Sequence, residues 1–89
     1  MASISGDILA RYAGDAAREV DGVRGLARRR ATRITERGGH VTVELHLGVE
    51  WGASIPAVGR AVQDRVRGYL TRMADLESVV VNVVVDEVR

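Results

Sequence analysis

A glycine pair at positions 38–39 does most to constrain the fold, because a two-residue Gly-Gly loop is typical of a β-hairpin. Pairing of the residues that flank this loop places Ile34 opposite Val43 on one face and Arg33 opposite Glu44 on the other. Apolar residues and opposite charges therefore meet in this register. A shift by one residue would place Ile34 against Glu44, so the sequence selects one pairing.

The second arm of the hairpin is the clearest strand of the chain, because apolar and polar residues alternate along it. A stripe of apolar residues at helical spacing precedes the hairpin and ends at Asp21-Gly22, where glycine can close a helix. A second stripe runs from a Ser54 cap to about Asp75, and a run of valines at 79–85 predicts a third strand. The residues expected on the buried face of the second arm are Val41, Val43, Leu45, Leu47, Val49 and Trp51.

These elements predict an α+β fold, with two layers in the order α-β-β-α-β, a three-stranded mixed sheet and both helices on one face. We expect the valine strand to lie beside the second arm and parallel to it, because the helix between them forms a right-handed crossover. The first arm is then an edge strand, and a sheet with that arm in the centre is the alternative. Eighty-nine residues predict a single domain, 1–89.

The amino-acid composition argues against several classes of protein function. The chain has no cysteine, and no apolar run approaches the ~20 residues of a membrane span, so we expect a cytoplasmic protein. With no Phe, one Trp and two Tyr, it offers little aromatic surface for stacking on nucleic-acid bases. Its serines are explained by caps and turns, and its glycines form no phosphate-binding run. We therefore expect no enzyme activity, no cofactor and no small-molecule substrate.

His40, Glu44 and His46 share one face of the second arm and are the only metal-ligand candidates that stand out. A zinc site needs three or four ligands with supporting contacts around them. No cysteine or further carboxylate is evident nearby, and Arg33 is the expected neighbour of Glu44. Exposed polar residues are therefore favoured over a metal site.

Arginines are concentrated in the first arm, where Arg28, Arg29, Arg30 and Arg33 could contact an anionic partner. The phosphates of nucleic acid or of anionic lipid would suit them, and such binding would weaken steeply with salt. The favoured interpretation is a solvated edge strand whose charges discourage aggregation. RNA-binding domains of the KH type have a similar element order, but the Gly-x-x-Gly loop that they need is absent.

Val80, Val84 and Val88 are expected to point away from the core, and Ala31 is a candidate neighbour on the same face. An apolar outer face on a small domain indicates a partner protein or self-association. The alternatives are that the strand packs under a loop, or that its parity is inverted and Asn82 lies inward. These three valines are the candidate protein interface.

Three segments in order carry a family resemblance. Segment 16–26 contains two alanines, then Glu-Val, then Gly-Val; segment 49–58 joins Val-Glu-Trp-Gly to an isoleucine and a valine. Gln63 with Val66 follows, and segment 81–85 closes the pattern with Val-Asn-Val. In this order and spacing they resemble the alkaline-shock-protein family of bacterial envelope stress proteins.

The resemblance implies a cytoplasmic, non-enzymatic protein that acts in cell-envelope homeostasis. It also implies a position that is often near the membrane, held there through a partner protein. Together with the outer valines, the resemblance leads us to expect self-association or a membrane-anchored partner protein. No catalytic residues come with the resemblance.

Overall fold

The computed structural model describes residues 6–26 and 31–89. A central strand, β3 (His40–Val49), pairs antiparallel with β1 (Val23–Leu26) and β2 (Thr32–Arg37) along one side and parallel with β4 (Ser78–Val88) along the other. The α+β class, the mixed sheet and the parallel valine strand are thus confirmed, and the alternative with the first arm in the centre is wrong. The elements are α1 (Gly6–Arg18), β1 (Val23–Leu26), β2 (Thr32–Arg37), β3 (His40–Val49), α2 (Ile55–Met73) and β4 (Ser78–Val88).

The sheet has four strands rather than the predicted three, because β1 pairs with β3 in addition to β2 and β4. β2 pairs with the first part of β3, whereas β1 pairs with its last residues, 47–49, on the same side. The register of β1 shifts between Val23 and Gly25, and Gly25 has a φ of 133°. A strand of four residues with such an irregularity shows too little alternation to be recognised in a sequence.

The hairpin has the predicted register. Ile34 faces Val43 and Arg33 faces Glu44. The φ angles of Gly38 and Gly39 are 58° and 84°, and tight hairpin turns require positive values at both positions. The complete set of pairs is Thr32–Leu45, Arg33–Glu44, Ile34–Val43, Thr35–Thr42, Glu36–Val41 and Arg37–His40.

Both helices pack on the same face of the sheet and share one apolar core with it. Leu9 of α1, Val62 of α2 and Leu45 of β3 are fully buried in this core. The apolar stripe of α1 buries Leu9, Ala13, Ala16 and Ala17, whereas Ile8 lies at its margin and is 45% exposed. Helix α1 also ends earlier than expected, at Arg18, and the chain turns at Gly22.

The prediction that Trp51 faces the core is wrong. β3 ends at Val49, so Trp51 lies in the turn that leads to α2 and no longer follows the alternation of the strand. Its N–H donates to the carbonyl of Arg89 at 2.6 Å, while its side chain is 83% exposed. The backbone is therefore anchored to the end of the sheet and the indole faces solvent.

Helix α2 has the predicted boundaries. The Ser54 hydroxyl accepts a hydrogen bond from the N–H of Ala57 at 3.3 Å, and Pro56 occupies the first turn, where its missing N–H costs little. The helix ends at Met73 with Ala74 as its C-cap. Within the described residues, no helix combines the length and the apolar content needed to cross a membrane.

Candidate interaction surface

The face of the sheet opposite the helices is not covered by any element of the described chain. Along β4, Val80 and Val84 lie on this outer face and are 50% and 39% exposed. Asn82 is exposed between them, so the alternative with inverted parity is wrong. We call Val80 and Val84 the valine row; its role as a protein interface stays a prediction. Val88 is not part of the row, because an extra residue in β4 pairs Val88 with the buried Val49 and places it on the helix side of the sheet, so the prediction that Val88 points away from the core is wrong.

The valine row is confined to one strand. In the register of the sheet, Val80 lies beside Thr42 of β3 and Val84 lies beside His46. Ala31, the candidate neighbour, is buried and only 1% exposed. The exposed apolar surface is therefore a narrow stripe along β4 rather than a patch across the sheet.

His46 connects β3 to the end of β4. Its Nδ1 lies 3.0 Å from Oδ2 of Asp86, and its Nε2 lies 2.9 Å from Oε2 of Glu44. These two contacts form the polar border of the valine row.

The sequence grouped His40, Glu44 and His46 as candidate metal ligands. Only Glu44 and His46 contact each other, because Nδ1 of His40 lies 2.8 Å from the hydroxyl of Ser78 instead. Glu44 and Asp86 contact opposite ring nitrogens of His46, so all three cannot bind one ion together. In the part of the chain that the structure describes, no group of three or more such side chains could hold a metal ion.

The end of β4 carries an ion pair. Nε and Nη2 of Arg89 donate to the carboxylate of Glu87 at 3.0 and 3.1 Å. These hydrogen bonds lower the pKa of Glu87 and raise the pKa of Arg89. The two charges therefore offset one another next to Val88.

Three of the four arginines of the predicted anionic contact, Arg28, Arg29 and Arg30, lie outside the described residues. Arg33 is exposed on β2. Binding of nucleic acid or anionic lipid by this cluster stays a prediction. Its test is a variant with Arg28, Arg29 and Arg30 replaced by Ala, which should lose salt-sensitive binding if the cluster contacts phosphates.

Residues 32–89 match the model of the alkaline-shock-protein 23 family, which is described as having a cell envelope-related function. The chain belongs to this family. The protein YqhY of Bacillus subtilis (strain 168), described as uncharacterized, is 32% identical in an alignment of 95 positions that covers 90% of this chain and 70% of YqhY. The resemblance to alkaline-shock proteins is thus confirmed. The family match covers β2 to β4, including the valine row, whereas segment 16–26 precedes it.

Solved structures with the same fold include variants of the MamM C-terminal domain. One has a TM-score of 0.70 and 23% identity, with 93% of this chain and 96% of that chain covered. A nickel form of another variant has a TM-score of 0.69 and 20% identity, covering 91% and 96%. At this level of identity the likeness shows the fold alone, and the metal is a property of that protein.

Two features of the surface were missed in the sequence. The contact between His46 and Asp86 joins strands that are far apart in the chain, and an extra residue in β4 places Asp86 where it can reach the ring. The sequence contains one indication of this contact, because Asp86 is the first charged residue after the uncharged segment 78–85. The exposed indole of Trp51 was missed because the alternation of β3 was extended past the end of the strand.

Proposed function

We propose that this chain acts as a single alkaline-shock-like domain, 1–89, in the response of the cell envelope to stress. It acts by binding proteins and not by catalysis. The family's cell envelope-related description supports the setting, and the valine row supports the mode of action. In this proposal the domain works in the cytoplasm, next to the membrane, and associates with itself or with a membrane-anchored partner protein.

The valine row carries the proposal. Complete burial of a valine side chain contributes about 1.5–3 kcal/mol, so each half-exposed valine of the row would contribute about 1 kcal/mol when a partner covers it. The contacts of His46 border the row with polar groups, as is usual at the rim of an interface. The row is small, which suits an association that can be reversed.

A groove between the end of α1 and the middle of α2 does not have the side chains of a catalytic site. Its lining contains no histidine or hydroxyl nucleophile, and its main charges pair with each other, since Arg65 lies 3.3 Å from Glu19. A catalytic site would need a general base beside a group that it activates. The lining residues are Glu19, Val20, Asp21, Ala61 and Arg65.

The test is complementation in a bacterium that lacks its own copy of the gene. Wild type should restore growth under an envelope stress such as an alkaline shift or a cell-wall inhibitor. A variant with Val80→Asp and Val84→Asp should fail, because each carboxylate would lose its hydration on burial. The matched control is Thr35→Asp, which places the same charge on an exposed site of β2, on the outer face but away from β4.

Circular dichroism and thermal unfolding of each purified variant establish that it is folded. Growth restored by the valine variant as fully as by wild type would overturn the proposal. Failure of the Thr35→Asp control together with the valine variant would show that charge anywhere on the outer face is harmful, and would remove the specific role of the valine row.

A further inference from the structure

The strands at the two edges of the sheet differ in their charged residues. The side formed by β2 carries Arg33, Glu36 and Arg37, and charges of this kind keep an edge strand from pairing with other chains. On the other side, β4 pairs with β3 and with no other strand of the described residues. Its segment 78–85 contains no charged residue at all. A long, uncharged edge strand is a site for pairing with another strand.

The direction of the backbone groups of β4 follows from the hydrogen bonds around it. The N–H of Ser78 donates to the carbonyl of Gly39 at 3.4 Å, toward the β3 side. Backbone groups alternate in direction along a strand, so those of the odd-numbered residues 79–85 point to the open edge. One of these edge-facing backbone groups, the carbonyl of Val81, accepts a hydrogen bond from Nε2 of Gln63 at 3.1 Å.

The sequence of β4 is complementary to itself in one antiparallel register. If Asn82 faces Asn82 of a second copy, Val80 faces Val84 of that copy on the outer face. A shift of two residues in one direction places Val80 opposite Asn82, and a shift in the other places it opposite Asp86. The further pairs of the matched register are Val79 with Val85, Val81 with Val83 and Ser78 with Asp86.

We infer that β4 pairs antiparallel with β4 of a second copy of this chain, with Asn82 on the two-fold axis. The odd-numbered residues exchange backbone hydrogen bonds across the axis, and the sheet becomes continuous through the dimer. The carbonyl of Val81 can accept a second hydrogen bond, because it has two lone pairs. The inference rests on the proposed function and deepens it, since it names a second copy as the partner of β4.

The first experiment is a cross-link at the axis. The chain has no cysteine, so Asn82→Cys introduces one thiol per copy. In this register position 82 is a non-hydrogen-bonded pair, with Cα atoms about 4.5 Å apart, within the range that a disulfide spans. Under mild oxidation the variant should form a covalent dimer about tenfold faster than Thr35→Cys, because pairing raises the effective thiol concentration. Non-reducing electrophoresis measures both rates.

The second experiment tests the register. Val80→Cys and Val84→Cys, mixed together, should cross-link to each other, whereas each alone should remain monomeric on the gel. Two copies of position 80 would lie four residues apart along the strands, about 13 Å, which a disulfide cannot span. Equal rates for Asn82→Cys and Thr35→Cys would overturn the pairing, and rapid cross-linking of Val80→Cys alone would overturn the register.

The results separate this inference from the proposed function. If the valine variant fails to complement but Asn82→Cys does not cross-link, the valine row binds a different protein and the pairing of β4 is wrong. If Asn82→Cys cross-links while the valine variant complements fully, the dimer stands and the proposed function is wrong.

Discussion

Gly22 lies between the end of α1 and the start of β1, against α2, and its replacement by alanine should destabilise the fold. Its carbonyl accepts a hydrogen bond from the N–H of Glu50 at 2.8 Å, so the turn is held against the chain that follows β3. A Cβ atom on residue 22 would lie 2.7 Å from Cγ2 of Val58, which is a buried residue of α2. The φ of Gly22 is 93°, which L-residues rarely adopt.

Two costs therefore add in Gly22→Ala. The positive φ costs about 1–2 kcal/mol for a residue with a side chain. The contact with Val58 adds about 1–3 kcal/mol, as is typical of overpacked sites. Together they remove about 2–5 kcal/mol from a domain whose free energy of unfolding is typically about 5–15 kcal/mol.

Gly52 provides a matched control. Its φ is 88°, close to that of Gly22, but among the residues that the structure describes, and apart from its two chain neighbours, no atom lies within 4 Å of the position of its Cβ. Gly52→Ala should therefore show the conformational cost alone. In urea unfolding, Gly22→Ala should be less stable than Gly52→Ala by about 1–3 kcal/mol.

A double-mutant cycle identifies the contact responsible. Val58→Ala removes the methyl group that the new Cβ would meet, so Gly22→Ala should cost less in that background, with a coupling of about 0.5–3 kcal/mol. Equal stabilities of the Gly22 and Gly52 variants, or a cycle without coupling, would refute the steric argument.

Three other substitutions test the core, a cap and an exposed side chain. Leu47→Ala should lower the free energy of unfolding by about 2–5 kcal/mol, because Leu47 is fully buried in β3; a smaller change in urea unfolding would contradict its place in the core. Ser54→Ala should cost about 1 kcal/mol by removing the cap of α2, seen as a melting temperature lower by about 4–8 °C. Trp51→Ala should change stability by less than about 0.5 kcal/mol, and the indole emission of wild type should hardly shift on unfolding; a clear blue shift in the folded state would show that Trp51 is buried.

Local patterns in the sequence predicted the elements that depend on neighbouring residues. The hairpin register follows from the glycine pair and from the alternation on both sides of it, and the structure has the same pairs. The cap at Ser54 and the end of α2 near Ala74 follow from local hydrogen bonding and backbone preferences. The outward direction of Val80 and Val84 follows from the two-residue period of a strand.

The errors occur where a local pattern continues past the point at which tertiary contacts end an element. The alternation of β3 runs on to Trp51, but the backbone of Trp51 bonds to Arg89 and the indole turns outward. The apolar spacing of α1 includes both Ile8 and Leu9, and packing against the sheet buries Leu9 but leaves Ile8 45% exposed. The periodicity of the sequence indicates roughly which face of a helix is buried. Packing against the sheet then sets the rotation of the helix about its own axis.

The α+β class, the family, the hairpin register and the valine row could all be predicted from the amino-acid order, because each depends on periodicity or on motifs within short segments. Two features emerge only in the folded molecule: β1 and β2 share one side of β3, and His46 meets Asp86. They depend on which distant segments pair, and the free energy of such pairing comes from burying the whole core at once. No short stretch of the chain contains that information.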